Sequence, residues 1–137
     1  MNRFRKVEAT LTAELAKPYD YGTPERSDCF FMGLAMIDAL EGSALVKKYA
    51  GAYKTLAGAQ RALRKRKHAS LTAFFTKELV REPVGGAAAR FGDLVILRLE
   101  DGAEHVGICV GTRFTTKTPA GRRDCALADV VAAFHIG

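Results

Sequence analysis

The chain has no tryptophan, four prolines and three cysteines, Cys29, Cys109 and Cys125, in 137 residues. Three thiols make no even framework and no Cys-x-x-Cys pair, which argues against a disulfide scaffold and for synthesis in a reducing compartment. No stretch approaches the ~20 apolar residues of a membrane span. The opening Met1-Asn2-Arg3-Phe4-Arg5-Lys6 is largely polar. No apolar run of about 7–15 residues follows it, so no secretory leader is expected. There is no internal repeat, linker or low-complexity tract.

What is present is a core and an excess of positive charge. With 48% apolar residues the chain can bury a real core, and its length suits one domain, residues 1–137. Lys and Arg number 21 against 15 Asp and Glu, a net charge of +6. That excess suits a polyanion: nucleic acid, an anionic cell wall or a membrane surface. The densest run, Arg64-Lys65-Arg66-Lys67-His68, reads as a solvated helix face. It has no interleaved aromatic on which a base could stack, and no recognition motif accompanies it, which disfavours nucleic acid as the partner.

The patterning divides the chain in two. Phe4, Val7, Leu11 and Leu15 recur at near-helical spacing over 3–16. Pro18, Gly22 and Pro24 then make 17–27 a loop. Residues 28–41 are apolar nearly all round, with Asp38 the only charge between Cys29 and Leu40, as in a buried helix that Gly42 ends. Further helices are expected at about 54–65 and 69–80, the latter capped by Ser70. After Pro83-Val84-Gly85-Gly86 the pattern turns to strands. Leu94–Leu99 and Val106–Val110 flank Asp101-Gly102, a hairpin signal. A short strand near 112–116, a turn at Pro119-Ala120-Gly121 and a C-terminal part of mixed pattern follow. Helices first and an antiparallel sheet second is an α+β order.

A two-residue Asp101-Gly102 loop would pair Glu100 with Ala103. It would set Arg98 opposite His105, Ile96 opposite Gly107 and Leu94 opposite Cys109. Alternation puts His105, Gly107 and Cys109 on one face and Val106, Ile108 and Val110 on the other.

The chemistry centres on Ser27-Asp28-Cys29. Asp28 or Ser27 can cap the buried helix, leaving Cys29 in its first turn, where the helix dipole favours thiolate over thiol. Gly33, one turn further along the same face, allows close approach of a strand. A thiol at a helix start, facing a strand that carries a histidine, suits nucleophilic catalysis, with helix N–H groups as oxyanion donors. The same residues are also compatible with a buried structural cysteine.

Two stretches resemble a known family. Lys17-Pro18-Tyr19-Asp20-Tyr21-Gly22, then Ser27-Asp28-Cys29, is similar to the nucleophile segment of NlpC-type cell-wall peptidases. Gly92-Asp93-Leu94-Val95-Ile96-Leu97, then His105-Val106-Gly107-Ile108-Cys109-Val110-Gly111, is similar to that family's histidine segment. The resemblance covers roughly 17–116. It implies a papain-like fold, with the nucleophile helix packed on the antiparallel sheet, and hydrolysis of peptide bonds in peptidoglycan stem peptides. It implies Cys29 as nucleophile, His105 as base, and Tyr19 and Asp28 as substrate-contacting residues, with no cofactor and no metal. Its small versions carried by phages and gene transfer agents imply synthesis in a bacterial cytoplasm, tail proteins as partners, and delivery to the wall by a particle.

Three features depart from the pattern. Phe30-Phe31 follows the cysteine where Ser-Gly is usual. Cys29 and His105 are 105 − 29 = 76 residues apart, which suggests a helical insertion at 44–85. The third polar residue, which would orient the imidazole, falls in Thr115-Thr116-Lys117-Thr118, with Thr116 the candidate. These departures keep open a catalytically silent structural or peptide-binding component of such a particle. Cys125, beside Arg122 and Arg123, is a second candidate thiol of lowered pKa. His135 is a strand-end residue, with roles as ligand or alternative base also open. A metal site drawn from Cys29, His105, Cys109, Cys125 and His135 is disfavoured, because His105 and Cys109 lie about 13 Å apart on one strand and cannot share a zinc unless the strand breaks.

Overall fold

Asn2 begins the first helix by accepting the N–H of Arg5 on its side chain, and α1 (Arg3–Ala16) runs over the expected residues. The computed structural model describes residues 2–20, 27–51 and 70–137. Val7 and Leu11 bury the inner face of α1. The next helix, α2 (Cys29–Glu41), starts at Asp28, whose carboxylate accepts the N–H of Phe31 at 2.8 Å. It ends at Gly42, which takes the left-handed conformation, φ 71°. Phe31, Met32, Gly33, Leu34, Met36 and Ile37 are all buried, as an all-round apolar helix requires. Its one interior charge is used: Asp38 accepts the N–H groups of Leu45 and Val46 and so holds the start of α3 (Leu45–Tyr49). The helix expected at 54–65, the run Arg64–His68 and residues 21–26 lie outside the described residues. The helix α4 (Leu71–Leu79) is capped by Ser70 as expected.

Five strands follow: β1 (Leu94–Arg98), β2 (Glu104–Cys109), β3 (Phe114–Thr118), β4 (Gly121–Cys125) and β5 (Val130–Phe134). They form one antiparallel sheet in the order β4-β3-β2-β1-β5. The fold is α+β: among the described residues, four helices and this sheet. Leu94, Val95, Ile96 and Leu97 are each 0% exposed, so β1 is covered on both faces, the reason it reads as a continuous apolar run. One face meets the helices: Leu94, Ile96, Val106 and Phe134 pack with Phe31, Leu34, Ile37, Phe74 and Phe75. The other carries Val95, Leu97, Cys109, Phe114 and Cys125. The β1–β5 pairing slips between Ile96 and Leu97, whose partners are Ala132 and Val130, and the extra residue, Val131, faces solvent.

The hairpin register differs from the sequence reading. Arg98 pairs with Glu104, Leu97 with His105, Val95 with Gly107 and Leu94 with Ile108. The loop has three residues, Glu100-Asp101-Gly102. Gly102 donates to the Leu99 carbonyl at 2.9 Å, takes φ 75°, and the chain then re-enters the ladder at Ala103. A turn followed by a left-handed glycine is the usual three-residue solution, and it moves every partner by one residue. Arg98 therefore lies opposite Glu104, to which it is ion-paired at 3.4 Å, and does not confront the imidazole.

Aromatic packing accounts for Phe30-Phe31. Elements α3 and α4 bring Tyr49, Phe74 and Phe75 over the start of α2. Phe30 packs edge-on to Phe74 at 5.4 Å between ring centroids, and Phe74 to Phe75 at 4.9 Å. Small residues after Cys29 would leave that aromatic cluster without its centre.

Candidate active site

Helix α2 crosses the sheet on the Val106 and Ile108 face. A Cβ on Gly33 would come within 2.5 Å of Val106 Cγ1 and 3.0 Å of Leu94 Cδ1, so the glycine sets how closely helix and strand approach. The expectation for Gly33 holds, and its consequence is the position of Cys29 one turn earlier. The sulfur lies against the edge of β2, where the backbone N–H of Val106 points at Sγ across 3.4 Å. Pairing of β2 with β3 begins just beyond, at Gly107 and Thr116. Thr116, fully buried, donates its hydroxyl to the Val106 carbonyl at 2.7 Å and lies beside the Cys29 sulfur, whose thiol pKa it lowers. The thiol therefore sits at the fork between β2 and β3.

The electrostatics reverse one expectation. Helix placement alone favours a thiolate, yet the Cys29 thiol is pushed up to about 12. Burial is the main cause and the charge of Asp28 the second; the hydrogen bonds from Val106 and Thr116 oppose them without prevailing. Asp28, 3% exposed, is engaged as the helix cap. Tyr19 is half-buried at the end of the segment that leads toward the site.

His105 does not touch the sulfur. Alternation along β2 turns its side chain away from the α2 face, and its Nε2 lies 3.1 Å from Asp101 Oδ2 in the hairpin loop. Its backbone, however, is adjacent to the thiol. The His105 Cα is two covalent bonds from the nitrogen that contacts Sγ, which sets it within about 6 Å of the sulfur. The orienting role expected of Thr116 is not what the geometry shows: Thr116 attends Cys29 and Val106, and the imidazole's partner is Asp101.

The remaining candidates are accounted for elsewhere in the fold. Cys125 is buried, and burial pushes its thiol up despite the opposing charge of Arg123, the reverse of the sequence expectation. Cys109 is buried in the sheet, and its thiol is likewise raised. His135 follows β5 and its Nδ1 lies 2.8 Å from Asp93 Oδ2. Among the described residues no group of three His, Cys, Asp or Glu side chains is placed to hold a metal ion. No helix among them is long and apolar enough to cross a membrane.

Sequence reasoning missed a buried polar cluster behind the site. Lys117, 3% exposed, donates its Nζ to the carbonyls of Glu14 and Lys17 at 2.6 and 2.7 Å, closing the C-terminal end of α1. Glu14 in turn accepts the Ser27 hydroxyl at 2.9 Å and pairs with Lys17. This cluster anchors both ends of the segment between α1 and α2 to β3. Burial lowers the Lys117 pKa. The one sequence signal was a lysine inside the β3 pattern, at a position that alternation leaves equally able to face in or out.

Fold and site together define an α+β domain with a helix-start cysteine seated at a strand fork beside a histidine-bearing strand. The chain belongs to a family described as a domain of unknown function (DUF6950), which it matches over residues 2–136. No curated protein matches it.

Proposed function

We propose that this chain is a papain-like cysteine hydrolase that cleaves peptide bonds in peptidoglycan stem peptides. The observation that carries the reading is the seat of Cys29. Its sulfur lies at the start of a capped helix, 3.4 Å from the amide that joins His105 to Val106. Two motifs far apart in sequence, each similar to a segment of NlpC-type peptidases, meet at that contact.

In the proposed reaction His105 turns from the hairpin side and takes the Cys29 proton through Nδ1. The sulfur attacks the substrate carbonyl carbon, and the oxyanion is received by N–H groups at the start of α2. The imidazolium returns its proton to the leaving amine as the C–N bond breaks. Water, deprotonated by His105, then releases the acyl group and restores the thiol. Because the resting thiol is neutral, proton removal and attack occur together, as with a serine nucleophile, and no preformed thiolate is required. Tyr19 is proposed to contact the substrate beside the thiol, and Asp28 to set the nucleophile's local charge. Tail proteins of a phage or gene transfer agent are the proposed carriers, on the resemblance alone.

One observation favours a second reading. A thiol pushed up to about 12, with its histidine turned away, is what a catalytically silent component of such a particle would show. Incubation with purified peptidoglycan fragments, followed by mass spectrometry for new amino termini, separates the two. Cleavage by wild type that is lost in Cys29→Ala and His105→Ala supports the hydrolase. No cleavage by the folded protein supports the silent component.

A further inference from the structure

Lys117 lies on β3 and is 3% exposed. A buried ammonium is tolerated only where its protons find acceptors. Among the described residues its acceptors are two backbone carbonyls at the end of α1, Glu14 at 2.6 Å and Lys17 at 2.7 Å. The charges that face it are Glu14, Lys17 and Asp28, and Arg122 pairs beside it on β4. The end of α1 is tied in turn to the start of α2. Ser27 donates its N–H to the Pro18 carbonyl at 3.0 Å, and its hydroxyl lies 2.9 Å from Glu14 Oε1 and 3.1 Å from the Asp28 carbonyl. That carbonyl also accepts the N–H of Met32 at 3.0 Å, a bond of the first turn of α2. Thr116, the residue before Lys117, lies beside the Cys29 sulfur. Strand β3 therefore reaches Cys29 twice: directly through Thr116, and from Lys117 through Glu14, Ser27 and Asp28.

We propose that Lys117 is a positioning residue for Cys29: by binding the last carbonyls of α1 to β3 it fixes Ser27 and Asp28, and with them the first turn of α2 and the depth at which the sulfur sits. Its purpose rests on the cysteine-hydrolase reading above, but its geometry is tested without turnover. The Lys117 ammonium is engaged with the carbonyls and acts on the sulfur only through the residues between. Without it two carbonyls lose their donor, and the end of α1 is no longer held to β3. Ser27 and Asp28 then move with the end of α1. Burial is the main reason the Cys29 thiol is raised. A first turn released from β3 admits water to the sulfur and brings the thiol down toward its ordinary value.

The test measures iodoacetamide alkylation of Cys29 against pH, read by peptide mass spectrometry, on the full chain in wild type, Lys117→Met, Ser27→Ala and Asp93→Ala. Each variant is first shown to be folded by its unfolding transition. Lys117→Met keeps a long side chain and removes the donor. It is expected to raise the thiolate present at neutral pH about tenfold, the effect of a pKa lowered by about one, and alkylation rises with it. Ser27→Ala keeps every charge and breaks the link to Glu14, so it moves alkylation the same way by less. Asp93→Ala destabilises the fold away from this cluster and is expected to keep the wild-type profile, which separates positioning from loss of stability. A folded Lys117→Met with the wild-type profile overturns the proposal, as does an equal shift in Asp93→Ala. Where Lys117→Met yields no folded chain, a wild-type profile in Ser27→Ala overturns it. Failure of wild type to cleave peptidoglycan removes the hydrolase reading but leaves the placement of Cys29 by Lys117 to be decided by these profiles.

Discussion

The backbone N–H of Val106 is directed at the sulfur of Cys29 across 3.4 Å, joining residues that stand 77 apart in the chain. This contact makes the thiol's environment depend on both α2 and β2, and it sets the charge balance at the site. Two substitutions should move that balance in opposite directions. Asp28→Asn keeps an N-cap acceptor of equal quality and removes the charge that raises the thiol, so the Cys29 pKa should fall from about 12. Thr116→Val removes a hydrogen bond that lowers it, so the pKa should rise further. Thiolate absorbance against pH, in chains lacking Cys109 and Cys125, reads both shifts.

Gly33→Ala tests the helix–strand approach. The added methyl would meet Val106 Cγ1 at 2.5 Å, and a β-branched side chain packed in the core has little room to yield. A cost of about 1–3 kcal/mol is expected from thermal or urea unfolding. The Cys29 alkylation rate should change with it, because the same displacement moves the sulfur from Val106. An alanine that costs nothing would mean that the contact is looser than described.

Asp93 is the point at which acid should act on stability. Its carboxylate is 0% exposed and joins the chain ends, through Arg3 at 3.0 Å, His135 at 2.8 Å and the N–H of Ile136 at 2.9 Å. Burial alone would raise its pKa. The bonds from Ile136, His135 and Arg90 outweigh that and hold it below its ordinary value of 3.8. A carboxylate with a lowered folded pKa contributes stability that is present above 3.8 and is lost as pH falls through the folded value. Asp93→Ala should cost about 1–3 kcal/mol at neutral pH, since it leaves the buried N–H of Ile136 unpaired while the partly exposed Arg3, Arg90 and His135 can turn to solvent. It should also flatten the acid limb of stability against pH. An acid limb identical to wild type would show that other groups control it.

Much of this was readable from sequence because each signal was local. The caps Asp28 and Ser70, the terminator Gly42 and the doubly buried run of β1 are properties of a few adjacent residues. The hairpin was also legible, but its register was not. Whether Glu100 belongs to the strand or to the loop is decided by the left-handed Gly102, and Asp101-Gly102 suits a loop of two residues or of three. That one-residue difference set Arg98 against His105 in the sequence reading and concealed Asp101 as the imidazole's partner. The raised Cys29 thiol was illegible for another reason. Helix position is local and favours thiolate, whereas the burial that overrides it depends on the core that the whole fold packs around Cys29. Lys117 and Glu14 were missed in the same way, since charges in sequence read as surface until a fold provides carbonyls and hydroxyls to hold them.

The most direct test of the account is cleavage of purified peptidoglycan stem peptides by the full chain, with new amino termini identified by mass spectrometry. The account predicts defined cleavage by wild type and none by Cys29→Ala or His105→Ala, each shown to be folded by its unfolding transition. No cleavage by folded wild type, or cleavage that persists without Cys29, would contradict it.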